Sequence, residues 1–194
     1  MLPPAVKTVS KDEKDRALDV FLLAFVDDPM LRWIFADASL YLKHSASAHF
    51  GLGGRSVAQG TAHVLDDYSA ASFWLPPGVG PDEEALGTLI ERVVPADKQA
   101  DLGAVVEQMG QYHPHEPHWY LAVLGVDASR QGRGLGSVIM KHALARVDAE
   151  HLPAYLESSN PRNIPFYERH GFEVIGRIQA GATPAVTPML RRAR

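Results

Sequence analysis

The sequence predicts an α/β layered domain around one mixed sheet, on three observations. The run Trp119–Val126 is nearly all apolar and rich in strand formers, as a strand covered on both faces in mid-sheet should be. It feeds a turn with three alternating glycines, Gly132, Gly134 and Gly136, and a helical repeat of apolar residues starts at once behind them. Helical and strand-like stretches share the remaining chain without internal repeats or a long linker, so residues 1–194 are expected to form one domain.

Each element has a local reason. Ser10 followed by Glu13 makes a capping box ahead of Ala17, Leu18, Phe21, Leu22 and Phe25, predicting a helix over 11–25. Pro29 opens a short helix to Phe35. Residues 38–50 carry a blunter helical pattern, and Gly51–Gly54 are expected to break the chain ahead of a strand over 55–65. Asp66-Asp67 turns it into a partner strand, Ser69–Leu75, which Pro76-Pro77-Gly78 stops. Helices over 82–94 and 97–112 follow, with Leu86, Leu89, Ile90 and Val93 on one face of the first and Leu102, Val105, Val106 and Met109 on the second. Prolines 114 and 117 make His113–His118 irregular. Beyond the central strand come a helix over 135–149, a strand over 154–158, a helix over 162–170 and strands over 172–177 and 185–191.

Composition narrows the function. The longest apolar run, Val20–Val26, is seven residues, whereas a membrane span needs about 20. No basic stretch leads into an apolar one near Met1-Leu2-Pro3-Pro4, so no secretion signal is expected. Without cysteine there is no disulfide, thiolate zinc site, iron–sulfur cluster or cysteine nucleophile, which fits a cytoplasmic setting. A net charge of −4 argues against a nucleic-acid partner, and Arg191–Arg194 reads as a solvated tail. His113, His115 and His118 lack the carboxylate–histidine spacing of a helical metal site and read as solvated, so no metal is expected.

The glycine loop carries the chemistry. Alternating glycines let backbone N–H groups turn inward and let a ligand approach closely. The helix start adds unpaired N–H groups and the positive end of a dipole, a receptor for phosphate or pyrophosphate to which Arg133 adds charge. A bare strand–helix turn is the plain alternative. The lysine-bearing phosphate loop of nucleotide hydrolases is absent, and the glycine spacing misses the dinucleotide fingerprint, although Glu157 lies about 20 residues on.

Gln131-x-x-Gly134-x-Gly136 after a strand resembles the signature of the GNAT superfamily of acyl-CoA-dependent N-acetyltransferases. A second segment, Asn160 through Tyr167 to Gly171-Phe172, is similar to that family's Asn-to-Tyr-to-Gly-Phe stretch. Within the family, the wording of residues 116–172 is similar to the puromycin N-acetyltransferase group, while residues 1–112 match in layout only. The resemblance implies a mixed, mostly antiparallel central sheet with two splayed parallel strands and helices on both faces. Residues 118–178 would form the acyl-CoA-binding core and residues 1–112 the acceptor side. Acetyl-CoA would be the co-substrate and a small-molecule primary amine the acceptor. A protein amine, or a module that binds acyl-CoA without turnover, are the alternatives, and a homodimer is among the assemblies it allows.

The resemblance also distributes roles. Leu124, Gly125 and Val126 would pair with the pantetheine arm, and a backbone N–H near Val126 would face the thioester oxygen. Gln131, Gly132, Arg133, Gly134, Leu135, Gly136 and Ser137 would hold the pyrophosphate, with Asn160 and Asn163 as further cofactor contacts. Tyr167 matches the general acid to the departing sulfur. Tyr120 falls where relatives carry a base, and a tyrosine is a poor base near pH 7. Glu157, His118 and a water relay share that role, and Phe25, Asp28, Trp33 and Phe73 are candidates for the acceptor pocket.

Overall fold

The computed structural model describes residues 4–194; Met1–Pro3, and with them the reading of a missing secretion signal, lie outside the described residues. Along the chain run β1 (Val6–Thr8), α1 (Lys14–Ala24), α2 (Pro29–Ile34), α3 (Ala38–Gly53), α4 (Arg55–Gln59), β2 (Ala62–Leu65) and β3 (Ala70–Leu75). They are followed by α5 (Glu83–Val93), α6 (Ala96–Tyr112), β4 (Trp119–Val126), α7 (Leu135–Ala149) and β5 (Ala154–Ser158). α8 (Ile164–Glu168), β6 (Glu173–Val174) and β7 (Thr187–Arg191) complete the described residues. The strands form one seven-stranded sheet in the order β1-β2-β3-β4-β5-β7-β6. Every neighbouring pair is antiparallel except β4–β5. Met140, Leu144 and Val147 of α7 pack on one face against Trp119, Leu121 and Leu156. Ala17, Leu18 and Phe21 of α1 cover the other face over Val64, Phe73 and Val123. The fold class is the one expected: a mixed, mostly antiparallel sheet with helices on both faces and one parallel pair.

Side-chain caps start α2, α3 and α5, and a capping box precedes α1. Glu13 accepts from the backbone and hydroxyl of Ser10 at 3.3 and 2.9 Å, and a single 3-10 turn leads into α1. Asp28, Asp37 and Asp82 cap α2, α3 and α5 by accepting backbone N–H groups. β4, α7 and β5 occupy the bounds read from periodicity.

Five expectations need correction. Gly51–Gly54 do not break the chain, because α3 runs through to Gly53. A Cβ on Gly51 would come within 2.7 Å of Leu86, and one on Gly53 within 2.7 Å of Phe73. These glycines let α3 lie close against α5 and β3, and that packing overrides their poor helix propensity. The expected strand over 55–65 is therefore the short helix α4, with Gly60 left-handed at φ 67°, followed by a strand of only Ala62–Leu65. The expected strand over 172–177 shrinks to Glu173–Val174, the one over 185–191 to Thr187–Arg191, and β1 was not foreseen at all. Arg191 is no solvated residue: it is 3% exposed, binds Asp148 through two nitrogens at 2.7 and 3.0 Å, and donates from Nε to the His170 carbonyl at 3.0 Å.

Two irregularities of β4 set up the site. Against β3, Trp74 pairs with Leu121 but Phe73 with Val123, leaving Ala122 as a bulge. The extra residue reverses the alternation: Trp119 and Leu121 face α7, and so do Leu124 and Val126. Gly125 is thereby turned onto α1, where a Cβ would stand 2.7 Å from that of Ala24 and 3.0 Å from the Phe21 ring. Against β5, β4 pairs only at Trp119↔Ala154 and Tyr120↔Tyr155, and the two parallel strands then part.

His49 of α3 sits at 1% exposure with its ring 5.5 Å from that of Phe21 and 4.7 Å from that of Phe25. Burial pushes its imidazole down to about 4. His63 of β2, facing His142 on α7, is also pushed to about 4, chiefly by burial and secondarily by the charges of His142 and Arg146. Both rings are neutral in the fold, whereas unfolding returns them to an ordinary value of 6.5. Their stabilisation is thus complete above that ordinary value and is lost as pH falls toward about 4, by about 1.4 kcal/mol per pH unit for each ring. Urea unfolding across this window should show the loss, and His49→Leu should remove about half of the slope the two rings contribute. An unchanged slope would mean that His49 is not the group being titrated.

Candidate active site

Where β4 and β5 part, a cleft of about 470 Å³ opens. Its walls are the α1–α2 connection from Ala24 to Asp28, the end of β4, the loop entering α7, and residues between Asn160 and Arg169. Leu124, Gly125, Val126, Gln131, Gly132, Gly134, Leu135, Gly136, Ser137, Asn160, Asn163 and Tyr167 all line it. Among the residues expected to hold a cofactor, Arg133 alone stands outside this lining.

The loop is held at both shoulders. The Asp127 carboxylate accepts from the Ser129 backbone and hydroxyl, both at 2.9 Å, and Arg130 reaches Asp67 in the β2–β3 turn at 2.9 Å. Gln131 folds back, its amide donating to the Val126 carbonyl at 3.3 Å. Gly132 and Gly134 have φ of 75° and 79°, and a Cβ on either would meet nothing within 4 Å. Here glycine answers to the left-handed backbone, not to crowding. Gly134 caps α7 without a side chain, and no acidic residue occupies the first turn. Among the described residues the N–H groups of Gly134, Leu135 and Gly136 find no acceptor, since the first claimed ones are Ser137 and Val138 on the Gly134 carbonyl. A fifteen-residue helix thus points unpaired donors and its positive end into the cleft. The donor set fits the pyrophosphate of a CoA ester.

Tyr167 also lines the cleft. Burial, and then the negative charge of Asp28, push its hydroxyl above the ordinary tyrosine value, so it stays protonated and is a donor at neutral pH. Its ring lies between Phe166 and Phe172. Asn160 caps the turn leading to α8 by accepting from the Arg162 backbone at 3.1 Å, just ahead of the helix that carries Tyr167.

The acceptor candidates divide. Phe25 and Asp28 line the cleft, Phe73 is wholly interior, and Trp33 packs beside Met30 with Lys98 4.8 Å above its ring. Asp28 does more than cap α2: its second oxygen accepts from the hydroxyl of Ser159 at 2.6 Å. Ser159 had no signal in the sequence.

Glu157, His118 and Tyr120, the candidates for the base, are brought together on the β5 face opposite α7, outside the cleft lining. The Glu157 side chain is 4% exposed, and among the described residues its Oε2 has no hydrogen-bond partner. His113 stands 3.8 Å from Glu157 through Nδ1 and 3.0 Å from His118 through Nε2, while His118 Nδ1 meets the Glu116 carbonyl at 2.8 Å. His113 and His118 are therefore neighbours in a polar chain rather than independent solvated residues. Burial raises the Tyr120 and Tyr155 hydroxyls, and the Glu157 charge raises them further. No group of three or more metal-ligating side chains occurs among the described residues.

Comparison with known proteins agrees with this architecture. The sequence model of the Acetyltransferase (GNAT) family matches residues 52–172. An uncharacterised N-acetyltransferase of Schizosaccharomyces pombe is 24% identical over 190 residues, covering 87% of this chain and 74% of that protein. A solved structure described as histone acetyltransferase HPA2 and related acetyltransferase, from Corynebacterium glutamicum, superposes with a TM-score of 0.69 at 22% identity, covering 100% of this chain and 98% of that one. Arylalkylamine N-acetyltransferase 2 from Aedes aegypti superposes with a TM-score of 0.67 at 12% identity, covering 98% of this chain and 99% of that one. At these identities the solved structures speak for the fold, and the family match speaks for the chemistry. With that match spanning the α7 loop and Tyr167 alike, the chain belongs to the GNAT acetyltransferase family.

Proposed function

We propose that this protein transfers the acetyl group of acetyl-CoA to a primary amine of a small molecule. The observation that carries the reading is the meeting, in one cleft, of unpaired N–H groups at the head of α7, the opened edge of β4 and the Tyr167 hydroxyl. The small-molecule acceptor draws support from the arylalkylamine-acting structural neighbour, and the wording of residues 116–172 keeps puromycin-like aminonucleosides among the amines to try. In this reading residues 118–178 bind the acyl donor and residues 1–112 shape the acceptor side.

Direct attack by the amine makes three demands, and each has a proposed answer. The thioester oxygen needs donors as charge develops on it, supplied by backbone N–H groups near Val126. The departing sulfur needs a proton, and the protonated, buried Tyr167 hydroxyl supplies it. Protons lost by the amine need an acceptor: Asp28 is the buried carboxylate in the cleft lining, whereas Glu157, His113 and His118 form a polar chain outside it. Tyr120 stays neutral beside Glu157 and orients it.

CoA release from acetyl-CoA over a panel of amines tests the whole reading; release with no amine on the panel speaks for a binding module instead. Acetyl-CoA should raise the melting temperature and NAD(H) should not, because only a ligand of the folded state shifts it. Gly134→Val should abolish that shift while the fold survives, since a β-branched residue at a φ of 79° disturbs the loop alone. Tyr167→Phe keeps the ring and removes the proton, so kcat should fall about 10²–10⁴-fold with KM for acetyl-CoA unchanged. Retention of most of kcat would leave Tyr167 as a packing residue.

A further inference from the structure

Asp28 is a carboxylate in an unusual position. It is 5% exposed yet lines the cleft, and the Tyr167 hydroxyl feels its charge. One oxygen accepts from the Leu31 N–H at 3.0 Å and the other from Ser159 Oγ at 2.6 Å, joining the head of α2 to the residue after β5. Among the described residues no lysine, arginine or histidine nitrogen lies within 4.0 Å of it. Helix capping does not explain this arrangement, because serine or asparagine caps as well without burying an unpaired charge. Two neutral hydrogen bonds and no cation suit a carboxylate that waits for a cation from outside.

We infer that Asp28 receives the acceptor's amino group as an ammonium ion and takes its first proton, with Ser159 fixing the carboxylate. The inference rests on the acetyl-transfer reading and narrows it to alkylamines, which are protonated at neutral pH. The ammonium gives one proton to Asp28, and its nitrogen forms the bond to the thioester carbon as the carbon–sulfur bond breaks. Tyr167 protonates the sulfur, the second nitrogen proton restores Tyr167, and the proton on Asp28 passes to solvent. Atoms and charge balance: ammonium and acetyl-CoA become amide, CoA thiol and one released proton.

The groups around Asp28 shape its titration. Ser159 after β5 and the Leu31 and Met30 N–H groups of α2 favour the charged carboxylate, while burial outweighs them and raises its pKa. Tyr167 of α8 and Tyr41 of α3 face it as neutral hydroxyls, each raised first by its own burial. A raised carboxylate is better matched to taking a proton from an amine.

Asp28→Asn is the central test, because asparagine preserves the cap. Two readouts are needed: calorimetric binding of 2-phenylethylamine, 1,4-diaminobutane and puromycin aminonucleoside to the CoA-loaded protein, and kcat/KM from pH 5 to 10. Asp28→Asn should weaken amine binding at least tenfold and lower kcat/KM about 10²–10⁴-fold, with acetyl-CoA affinity unchanged. Aminoacetonitrile, which is unprotonated at neutral pH, should lose less than the alkylamines. Ser159→Ala should move the acid limb of the profile to higher pH, and Asp28→Asn should leave only the amine's own titration. Wild-type binding and pH profile in Asp28→Asn would overturn the assignment, as would a wild-type protein that binds none of the amines. Amine binding lost in Asp28→Asn, with no CoA release even by the wild type, would uphold Asp28 as the amine's seat and defeat acetyl transfer instead.

Discussion

Ala122 is one residue too many for the ladder in which it lies, and the site depends on that mismatch. A strand that alternated without interruption would turn Leu124 toward α1 and Gly125 toward α7. The bulge exchanges them, so Leu124 and Val126 keep α7 seated while Gly125 lets α1 approach the strand closely. The same strand keeps only two residue pairs with β5 before the two diverge. A continuous parallel pairing would have closed the sheet there. Parting the strands opens backbone that a fully paired sheet would bury, and it does so between the head of α7 and the end of α1.

The electrostatics of the cleft follow from what has been withheld from it. α7 begins on a glycine without a capping side chain, so its first donors remain unspent. Arg130, the cation nearest the loop's own start, is engaged by Asp67 rather than by the loop. Elsewhere in the lining burial raises the pKa of a carboxyl, Asp28, and of a phenol, Tyr167, and the charge of the first adds to the cost of ionising the second. Neither is neutralised by a salt bridge. The cleft thus sets unspent backbone donors, with Arg130, Arg162 and Arg169 in the same lining, beside a buried acid and a buried phenol.

Much of this was legible in the sequence wherever a single stretch of chain held the whole signal. Trp119–Val126 announces a two-sided strand by composition, and the glycine loop announces a strand-to-helix turn by backbone freedom, so β4, α7 and β5 fall at their expected bounds. Gly51 and Gly53 misled for a physical reason: the same missing Cβ that lowers helix propensity permits helix packing, and only the neighbours Leu86 and Phe73 decide between the two. β1 and β6 are too short to display an alternation. The Asp28–Ser159 bond spans 131 positions, and His113 meets Glu157 from the far end of α6. No local pattern encodes such meetings, since they exist only once α2 and α6 have been laid across the diverging strands.

The strand order β5-β7-β6 carries a consequence for how the protein is made. Among the described residues β6 pairs with β7 alone, and β7 lies between it and β5, so Glu173–Val174 cannot join the sheet until Thr187–Arg191 has arrived. The arrival of β7 also brings Arg191, which clamps Asp148 of α7 and the turn that follows α8. Translation delivers these residues after everything they organise. While the ribosome still holds them, the nascent chain has its first five strands available and an exposed edge on β5. The unpaired edge is the surface a chaperone or a second nascent copy would meet first. Completion of the sheet and the fastening of α7 to the turn after α8 are therefore acquired in the same late event.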